Sequence, residues 1–543
     1  MGKRDCSSRV WWFSLVVVLG VLSLSFVPSF ELCGMNFSRV DLLSELRDHS
    51  LMGDAPVEYV ADMERLDMEL AAMSEIDTVV AADTLPEMPA ERYEWIESLA
   101  TKMPRRSISS ADISFGSPEE VVAIEDFDSL AITRFDNFVE KLISGEDVRI
   151  AFMGDSFVEG DILTSDLRAE LQNCFGGRGV GLVACDIPFN TVRKSVKRTS
   201  SGWSAYSVMN PKSAPATVKD RFFVSGYLAE GGVGATTRWQ STTAFETLDS
   251  CQRARVLLYS RDTSRVVVEI NDSISREFEI AGADYLREIY VEAPIEALRL
   301  KVVDGKVLCY GASLEGASGV VVDNFSVRSN NGHAIFGTSA TINRQADIFL
   351  GYDLVVLQYG LNIMQQGQRG YSRYRDQLCN MIAYAQRCFP DAAILVLGVS
   401  DRWVKSEESG SYVPIGSVDA LTSYQRAAAD SCGVAFWSTS QAMAKLGGMP
   451  VFVSNGWAAK DYTHINFLGG RRVAEELARA IKYEVHSRLV FDEQEAERKA
   501  QLEREIELET QRLLQARIDI VLPMIDTVMS EGVTSDDLNV SEE

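Results

Sequence analysis

The sequence lacks the marks of a nucleic-acid partner, a metal site or a nucleotide cofactor. Its 53 lysines and arginines face 78 aspartates and glutamates, and the formal net charge of −25 argues against binding to nucleic acid. The nine cysteines form no Cys-x-x-Cys pair and no other zinc-ligand spacing, so we predict no metal. A glycine-rich run, residues 176–181, follows a predicted helix rather than a strand, which argues against a dinucleotide fingerprint and a P-loop. We therefore expect no cofactor.

Histidine is also scarce, with four in 543 residues, so few side chains could act as a general base near neutral pH. His49 and His486 belong to no motif, and His333 has no adjacent carboxylate and is expected in a loop. His464 differs, because Asp461 precedes it by three residues on a predicted short turn before a helix. A carboxylate at that spacing can orient the imidazole and leave its other nitrogen free to accept a proton.

The tripeptide Gly154-Asp155-Ser156 lies where a buried strand is predicted to meet a helix. Residues 148–153 form an apolar run typical of a buried strand, and residues 161–173 carry leucines at helical spacing. We expect the serine to sit on a tight turn, with its hydroxyl and the first helix amides pointing to the same place. That geometry suits a nucleophile whose product is an oxyanion, and the histidine with a neighbouring aspartate is the candidate base.

A third motif, Gly360-x-Asn362, follows residues 353–359, which predict another buried strand. An asparagine amide at the carboxyl end of a strand could donate a hydrogen bond to a developing oxyanion. Strands and helices alternate around these motifs, so we predict a mostly parallel sheet with its site at the carboxyl ends of the strands. Asp155 and Gly360 are expected to support the turns that carry Ser156 and Asn362.

Residues 206–317 depart from this α/β rhythm. Several short segments there have the composition or the alternation of strands, at close spacing and without helical runs, which predicts a β-sandwich. Asp304-Gly305, between two of these segments, is a hairpin signal. The insert could be a glycan-docking platform beside the site or a decorative insertion that shapes the cleft, and both interpretations stay open.

The three motifs, together with the stretch VRSNNG, resemble the four blocks of the SGNH, or GDSL-like, hydrolase superfamily. The resemblance implies a flavodoxin-like three-layer α/β/α fold and an activity of ester hydrolysis or acyl transfer. It implies that Ser156 is the nucleophile, His464 the base and Asp461 the carboxylate that orients it. It also implies an oxyanion hole formed by the amide of Ser156, the side chain of Asn362 and an amide at Ser329, where the family usually has glycine.

A narrower resemblance is to membrane-anchored SGNH proteins related to peptidoglycan O-acetylesterases, on the runs GDSFVEGDILTSDLRAELQNCFGGRGVG and WAAKDYTHINFLGGRRVAEEL. In that group a β-rich, carbohydrate-binding-module-like domain is inserted between the serine block and the second block, and about 165 residues separate these blocks here. The resemblance implies hydrolase segments at residues 146–205 and 318–487 around an inserted β-sandwich at residues 206–317. It implies an O-acetylated envelope glycan such as peptidoglycan as the substrate.

The amino terminus predicts a membrane anchor. Residues 10–30 carry no charge and, at about 31 Å as a helix, are long enough to span a bilayer within a segment at residues 1–31. Lys3, Arg4 and Arg9 precede them, so we expect the start to lie in the cytoplasm and the catalytic part outside it, at the periplasmic face of an inner membrane. The alternative is a cleaved signal peptide, although no convincing small-x-small site closes the segment.

The segments that flank the catalytic part are predicted to be largely helical. Residues 32–145 predict a helical spacer with a linker, and residues 127–143 within it predict a helix that leads into the first strand. Residues 488–543 form an acidic tail, in which residues 494–520 predict a long, charged helix with a solvated surface or a partner helix. The end of the tail, from Pro523 on, is predicted to be disordered.

A basic cluster is formed by Arg193, Lys194, Lys197 and Arg198. It could meet an anionic glycan, or it could be a solvated face of the protein.

Two functions other than ester hydrolysis stay open. An O-acetyltransferase would pass the acetyl group from the serine to a sugar hydroxyl, working with a membrane-bound acyltransferase as its partner. A non-catalytic, membrane-tethered glycan-binding protein would use the β-rich insert, and the intact Ser156, Asn362, Asp461 and His464 argue against it.

Overall fold

The computed structural model describes residues 30–32, 35–37, 89–101, 108–189, 193–406 and 408–531. The predicted membrane anchor lies outside these residues except for its last position, as do most of the predicted spacer and the last twelve residues of the tail. Of the helices within the described ranges, none combines the length and the apolar character needed to cross a bilayer.

The strands are given in chain order. They are β1 (Phe30–Leu32), β2 (Met35–Phe37), β3 (Glu91–Ile96), β4 (Glu125–Asp126), β5 (Val148–Gly154), β6 (Gly181–Ala184), β7 (Lys197–Ser207), β8 (Tyr227–Gln240), β9 (Cys251–Tyr259), β10 (Ser264–Ile270), β11 (Ile274–Ile280), β12 (Leu286–Ile295), β13 (Ala297–Asp304), β14 (Lys306–Glu315), β15 (Val320–Ser326), β16 (Leu354–Gln358), β17 (Ala393–Gly398), β18 (Trp403–Lys405), β19 (Tyr412–Pro414) and β20 (Ala435–Ser438).

The α-helices are also given in chain order. They are α1 (Arg134–Ser144), α2 (Thr164–Phe175), α3 (Ala216–Lys219), α4 (Ala340–Leu350), α5 (Ser372–Cys388), α6 (Val418–Cys432), α7 (Thr439–Lys445), α8 (Gly448–Ser454) and α9 (Phe467–Glu531).

The half of the chain that carries the predicted motifs is built on a six-stranded sheet, the parallel sheet. Its order is β15-β5-β16-β17-β20-β4, and all neighbours pair in parallel except the edge strand β4. Taken in chain order, the five parallel strands have the 2-1-3-4-5 arrangement of flavodoxin-like folds. Every residue of β5 and β16 is buried, because strands covered on both faces need continuous apolar runs. The chain therefore has an α/β fold.

Two groups of helices pack on this sheet. In one group α9 contacts α1 and α2, and in the other α5 contacts α4 and α6. Both α1 and α6 also contact β17, so each group covers part of the parallel sheet. Two helical layers around a parallel sheet follow from its crossover connections, which place helices on the sheet faces.

The second half of the β structure is a ten-stranded sheet with its own apolar core. The path of this sheet is β11-β10-β13-β8-β14-β9-β12-β3, with β6 on β14 and β7 on β8. Its strands come mostly from the segment for which we predicted a β-sandwich, and its division into a separate inserted domain stays a prediction. Three members come from outside the predicted boundaries, since β3, β6 and most of β7 precede residue 206.

Two local predictions in this region are wrong. The predicted helical spacer contains a strand, β3, which pairs in parallel with β12 and buries Trp95. Asp304-Gly305 does not form a hairpin, because β13 and β14 do not pair and both run antiparallel to the long strand β8. Gly305 adopts φ of 72°, so the chain bends there and continues along β8 instead of folding back.

A buried ionic cluster joins the two sheets. Arg149 of β5 donates to Asp323 of β15 at 2.8 Å and to Glu315 of β14 at 2.6 Å. Arg255 of β9 approaches the second oxygen of Glu315 at 3.2 Å. Burial alone would raise the pKa of Glu315, but Arg255 and Arg149 hold it well below its usual range. Because the pairs are fully buried, loss of one partner would leave an uncompensated charge between the sheets.

The helix boundaries differ from the predictions in three places. The helix α1 begins at Arg134 rather than at residue 127, because Thr133 and Asp136 form a capping box that fixes the start. The helix α2 begins at Thr164 rather than at residue 161. The helix α9 runs without a break from Phe467 to Glu531, so it includes Pro523 and part of the segment predicted to be disordered.

The predicted basic cluster does not form a single surface. Arg193 pairs with the fully buried Asp161 at 2.9 Å, and its side chain is only 16% exposed. Lys194 lies over the ring of Phe467 at 3.8 Å, and Arg198 donates to a backbone carbonyl at 3.4 Å. Arg193 therefore serves an internal contact, whereas Lys194 and Lys197 are exposed, as on a solvated face, and contact with an anionic glycan stays a prediction.

Candidate active site

The predicted motifs meet where the order of the parallel sheet reverses. β5 and β16 are neighbours, with Gly154 opposite Gln358, so the residues that follow the two strands lie side by side. In open α/β sheets the crevice at this switch point, outside the carboxyl ends of the strands, is the usual place for a ligand. Ser156 follows β5 and Asn362 follows β16, which brings these two motifs to one edge of the sheet.

The turn that carries Ser156 is fixed by its neighbours. The backbone amide of Phe157 donates to Asp155 Oδ1 at 2.9 Å, a side-chain-to-backbone bond typical of tight turns. A side chain at Gly154 would collide with Val158 and lie 2.9 Å from Gln358 Oε1, so glycine allows the close packing of this turn. Ser156 itself is half-buried.

The helix α2 does not follow Ser156 directly, and the predicted proximity of the serine to its first amides stays a prediction. A 3-10 turn, Glu159–Asp161, comes first, and α2 begins eight residues after the serine. Gly160 and Asp161 adopt φ of 62° and 69°, a left-handed path that interrupts any helix running directly from the serine. The turn therefore separates Ser156 from the start of α2 along the chain.

Asp155 is a completely buried carboxyl group at the centre of the motifs. Burial raises its pKa to about 7, although the Phe157 amide and the charge of His464 act to lower it. Its second oxygen accepts a hydrogen bond from Asn362 Nδ2 at 3.3 Å. One side chain thus contacts the serine turn and the asparagine loop and lies within electrostatic reach of the histidine.

We predict that Asp155→Asn will flatten the pH dependence of stability. The native pKa of Asp155 lies above its ordinary value of about 3.9, so the folded state holds the proton more tightly than the unfolded chain. Its contribution to stability is present below about pH 4 and is lost as the pH rises through about 7. The thermal midpoint of the wild type should therefore fall more between pH 5 and pH 8 than that of the variant. Parallel curves for the two proteins would contradict the assignment.

Asn362 is held in place by the loop between β15 and α4. Its amide nitrogen donates to Asn330 O at 3.0 Å in addition to Asp155. Gly360 adopts φ of 121°, and a side chain there would lie 2.9 Å from Gln425 Nε2, so glycine is required before the asparagine. The two bonds fix the amide beside Ser156, and a substrate oxyanion would have to share or replace one of them.

Ser329 lies in the left-handed conformation, with φ of 64°. This is the position at which the sequence has serine where glycine was expected, and the backbone there has the geometry that glycine adopts most easily. The next residue, Asn330, accepts a hydrogen bond from the amide of Gly332 at 2.9 Å, which fixes the turn. The role of the Ser329 amide as an oxyanion donor stays a prediction.

The conformation of Ser329 leads to a second prediction. Ser329→Gly removes the strain of a left-handed serine, so stability should change by less than about 1 kcal/mol and activity should be kept. Ser329→Val places a β-branched residue at positive φ and should lower stability by about 1–3 kcal/mol, with loss of activity. Thermal unfolding and esterase assays on the two variants check this, and equal tolerance of valine and glycine would contradict it.

Asp461 and His464 pair on one turn, as their spacing indicated. His464 Nδ1 lies 2.7 Å from Asp461 Oδ2, and the other carboxylate oxygen accepts the amides of Thr463 at 3.0 Å and His464 at 3.1 Å. Burial acts to raise the pKa of Asp461, but the hydrogen bond and the charge of His464 bring it below its usual value. The ionised carboxylate can therefore hold the proton on Nδ1 and leave Nε2 as the acceptor.

No direct bond joins the histidine and the serine. The charge of His464 acts on Asp155, the residue before Ser156, so the imidazole lies within electrostatic range of the serine turn. Within the described part of the chain, the Ser156 hydroxyl donates to no side chain. Bonds between catalytic groups are often long before substrate binds and shorten in the complex, so this geometry is compatible with a serine–histidine pair.

Three supporting residues escaped the sequence analysis. Gln358 Oε1 lies 3.4 Å from the Asp155 amide, and Gln425 bridges Tyr359 O at 2.7 Å and the Val399 amide at 2.8 Å. Arg402 Nη1 donates to Leu361 O at 3.2 Å, next to Asn362. No motif marks these side chains; Gln358 ends an apolar run and Arg402 follows one, whereas Gln425 lies in a helical segment without such a signal.

His333 lies in a different set of contacts from His464. His333 contacts Gln377 at 3.3 Å and the ring of Phe336 at 5.3 Å, and burial lowers its pKa. It packs against α5, and its contacts give it no part in the serine site. In the described residues, no three His, Cys, Asp or Glu side chains are grouped so that they could hold a metal ion.

The fold of this chain is similar to that of a protein of known structure. No protein-family model matches the chain, and no curated protein sequence matches it. A solved structure of a peptidoglycan O-acetylesterase is similar, with 22% identity and a TM-score of 0.56, over 67% of this chain and 99% of that one. At this identity the likeness establishes a shared fold.

Two further solved structures match more weakly. A lipase/acylhydrolase from Enterococcus faecalis has 15% identity and a TM-score of 0.23, over 31% of this chain and 78% of that one. A family two carbohydrate esterase from Cellvibrio japonicus has 9% identity and a TM-score of 0.17, over 44% of this chain and 86% of that one. TM-scores this low carry no conclusion about the chain.

Proposed function

We propose that this chain is an SGNH-type serine esterase that removes O-acetyl or other short acyl groups from an envelope polysaccharide such as peptidoglycan. The observation that carries the proposal is the meeting of three distant motifs around Asp155. This carboxyl group sits beside Ser156, accepts a bond from Asn362 and lies in the field of His464. The shared fold with a peptidoglycan O-acetylesterase supports the same choice.

In the proposed mechanism, Ser156 attacks the ester carbonyl and His464 accepts its proton through Nε2. Asp461, bonded to Nδ1 at 2.7 Å, keeps the ring in the required tautomer and stabilises the imidazolium. The imidazolium then protonates the departing sugar oxygen, which leaves an acyl group on the serine. Water activated by the same histidine hydrolyses the acyl-enzyme and releases the acid.

The oxyanion of each tetrahedral intermediate would be held by the Ser156 amide, the Asn362 side chain and the amide at Ser329. Asn362 has both amide hydrogens engaged, with Asp155 and Asn330. A negatively charged oxygen is a stronger acceptor than a neutral carbonyl, so we expect the Asn330 bond to weaken as the oxyanion forms. Such a donor acts mainly in the transition state, which raises kcat rather than affinity.

The experiment that tests this function follows the acyl group. Purified full-length protein is incubated with O-acetylated peptidoglycan, with and without deacetylated acceptor glycan, and free acetate and acetylated acceptor are measured together. Release of acetate that is unaffected by the acceptor supports hydrolysis. Transfer to the acceptor would replace the esterase proposal with the acetyltransferase, and glycan binding without either product would leave the non-catalytic alternative.

The proposed substrate also requires a location outside the cytoplasm. We propose that the segment at residues 10–30 anchors the chain and that the esterase works at the periplasmic face of an inner membrane. This rests on the charge distribution around that segment and on the envelope polysaccharide as the substrate. Protease accessibility in intact and permeabilised spheroplasts checks it, and protection of the catalytic part in intact spheroplasts would contradict it.

A further inference from the structure

A small aromatic cluster stands beside the catalytic histidine. The hairpin of β18 and β19 carries Trp403 and Tyr412, and their rings gather around Tyr462, which lies between Asp461 and His464 in the chain. The rings of Tyr412 and Tyr462 are stacked, with centroids 4.1 Å apart and planes at 19°. Trp403 is tilted by 35° to Tyr462 at 6.5 Å. All three side chains are half-buried, so each keeps part of its surface open to solvent.

This aromatic cluster is tied to the reaction centre at two points. The amide of Trp403 donates to Tyr462 O at 3.0 Å, which joins the hairpin to the turn that carries His464. Arg402 donates to Leu361 O at 3.2 Å, which joins the same segment to the loop that carries Asn362. The cluster is therefore fixed relative to the base and to the proposed oxyanion donor.

The conformation of Tyr462 is unusual for an aromatic residue. Its φ of 56° is left-handed, a region in which bulky side chains are strained and glycine or asparagine is easier to accommodate. A large ring is nevertheless present at this turn, directly between the two members of the Asp461–His464 pair. Strained residues of this kind occur mostly at ligand sites, where the gain from contact offsets their cost.

We propose that Trp403, Tyr412 and Tyr462 form a subsite for a sugar ring of the substrate polysaccharide, next to the sugar that carries the acyl group. The proposal rests on the esterase function proposed above and names how its substrate is recognised. An open, rigid aromatic surface suits a pyranose, because the row of C–H bonds on one face of the sugar packs against the negative face of the ring.

The polar surroundings of the cluster also favour a sugar over an acyl chain. Lys405, opposite Tyr412 in the hairpin, is exposed, and Ser411 precedes Tyr412 at the surface. Hydroxyl groups at the rim of a stacked sugar would find donors and acceptors there, whereas a fatty acyl chain would require a closed apolar pocket. The subsite would place a neighbouring unit of the glycan and thereby align the acetylated unit with Ser156.

The test compares a polymer with a small ester. Trp403→Ala is assayed in the full-length protein on O-acetylated peptidoglycan and on 4-nitrophenyl acetate, which has no sugar. We expect kcat/KM on the polymer to fall at least tenfold more than kcat/KM on the small ester. The extra loss on the polymer should appear as a rise in KM rather than a fall in kcat. Trp403→Phe, which keeps an aromatic face, should recover part of the difference. Phe491→Ala, an exposed aromatic residue on α9, serves as the matched control and should change neither activity more than twofold.

An equal fall on both substrates would overturn the subsite, because it would mean that the hairpin only holds the catalytic turn in place. An unchanged polymer activity would overturn it as well. Binding separates this proposal from the esterase function. In co-sedimentation with peptidoglycan, the double variant Ser156→Ala/Trp403→Ala should bind at least fivefold more weakly than Ser156→Ala alone. This result is expected even if the wild type releases no acetate. Equal co-sedimentation of the two proteins would refute the subsite alone.

Discussion

Replacing Ser156 with alanine should lower kcat on an acetate ester by at least about 10⁴-fold, with little change in the fold. The substitution removes only the hydroxyl group, and without it no acyl-enzyme can form. The remaining rate would come from the oxyanion donors and substrate binding alone. The serine side chain is half-buried and donates to no described side chain, so its loss leaves no buried partner without a hydrogen bond. Burst kinetics and labelling by a serine-directed phosphonate measure the effect, and both should vanish in the variant.

The control for this prediction is a second serine whose hydroxyl can also be removed without depriving another side chain of a hydrogen bond. Ser454 lies at the exposed end of α8, and its hydroxyl donates to the carbonyl of Val451 at 3.0 Å. Ser454→Ala should keep the wild-type rate, the burst and the phosphonate label. If Ser156→Ala keeps more than about a hundredth of the wild-type rate, another nucleophile or a water-only mechanism must operate, and the proposed acyl-enzyme is wrong.

Replacing Asn362 with alanine should lower kcat by about 10²–10³-fold, with a smaller effect on KM. A donor that acts on the developing oxyanion stabilises the transition state more than the bound substrate, so its loss falls mainly on kcat. The variant also removes the bond to Asp155, which leaves this buried carboxylate with one donor fewer. We therefore expect a further rise in the pKa of Asp155 and a shift of the alkaline stability limit in addition to the kinetic loss.

A control variant at another asparagine distinguishes the expected loss of kcat from a general effect of shortening an asparagine side chain. Asn455→Ala removes an exposed asparagine at the end of α8 and should leave both kinetic constants within twofold. Steady-state kinetics on 4-nitrophenyl acetate for both variants give kcat and KM separately. A change confined to KM in Asn362→Ala would assign the side chain to substrate binding and would remove it from the oxyanion hole.

Local patterns were enough to predict the parallel strands and the Asp461–His464 pair. β5 and β16 are uninterrupted apolar runs, and such runs have few alternatives to a buried strand. The aspartate and the histidine lie three residues apart, so their contact depends on one turn and not on the rest of the fold. For the same reason, the start of α9 at Phe467 agrees with the predicted helix after the histidine.

The features that escaped prediction depend on residues far apart in the sequence. The strand β3 exists because β12, about two hundred residues later, offers it an edge, and no property of its own six residues requires that pairing. The delayed start of α2 depends on Asp161, whose left-handed backbone is stabilised by a buried ion pair with Arg193. The bond from Asn362 to Asp155 forms because β5 and β16 are neighbours in the sheet. The order of strands in a sheet cannot be predicted from local patterns in one sequence.

The continuous helix α9 has a consequence for distance. It starts three residues after His464, and the part from about residue 494 to Glu531 would extend roughly 55 Å at 1.5 Å per residue. A partner bound at the far end of this helix would be held at a fixed distance from the turn that carries His464. Removing two or four whole turns from this part of the helix should shorten that distance and leave the turnover of 4-nitrophenyl acetate unchanged, because the motifs of the proposed active site all precede the helix.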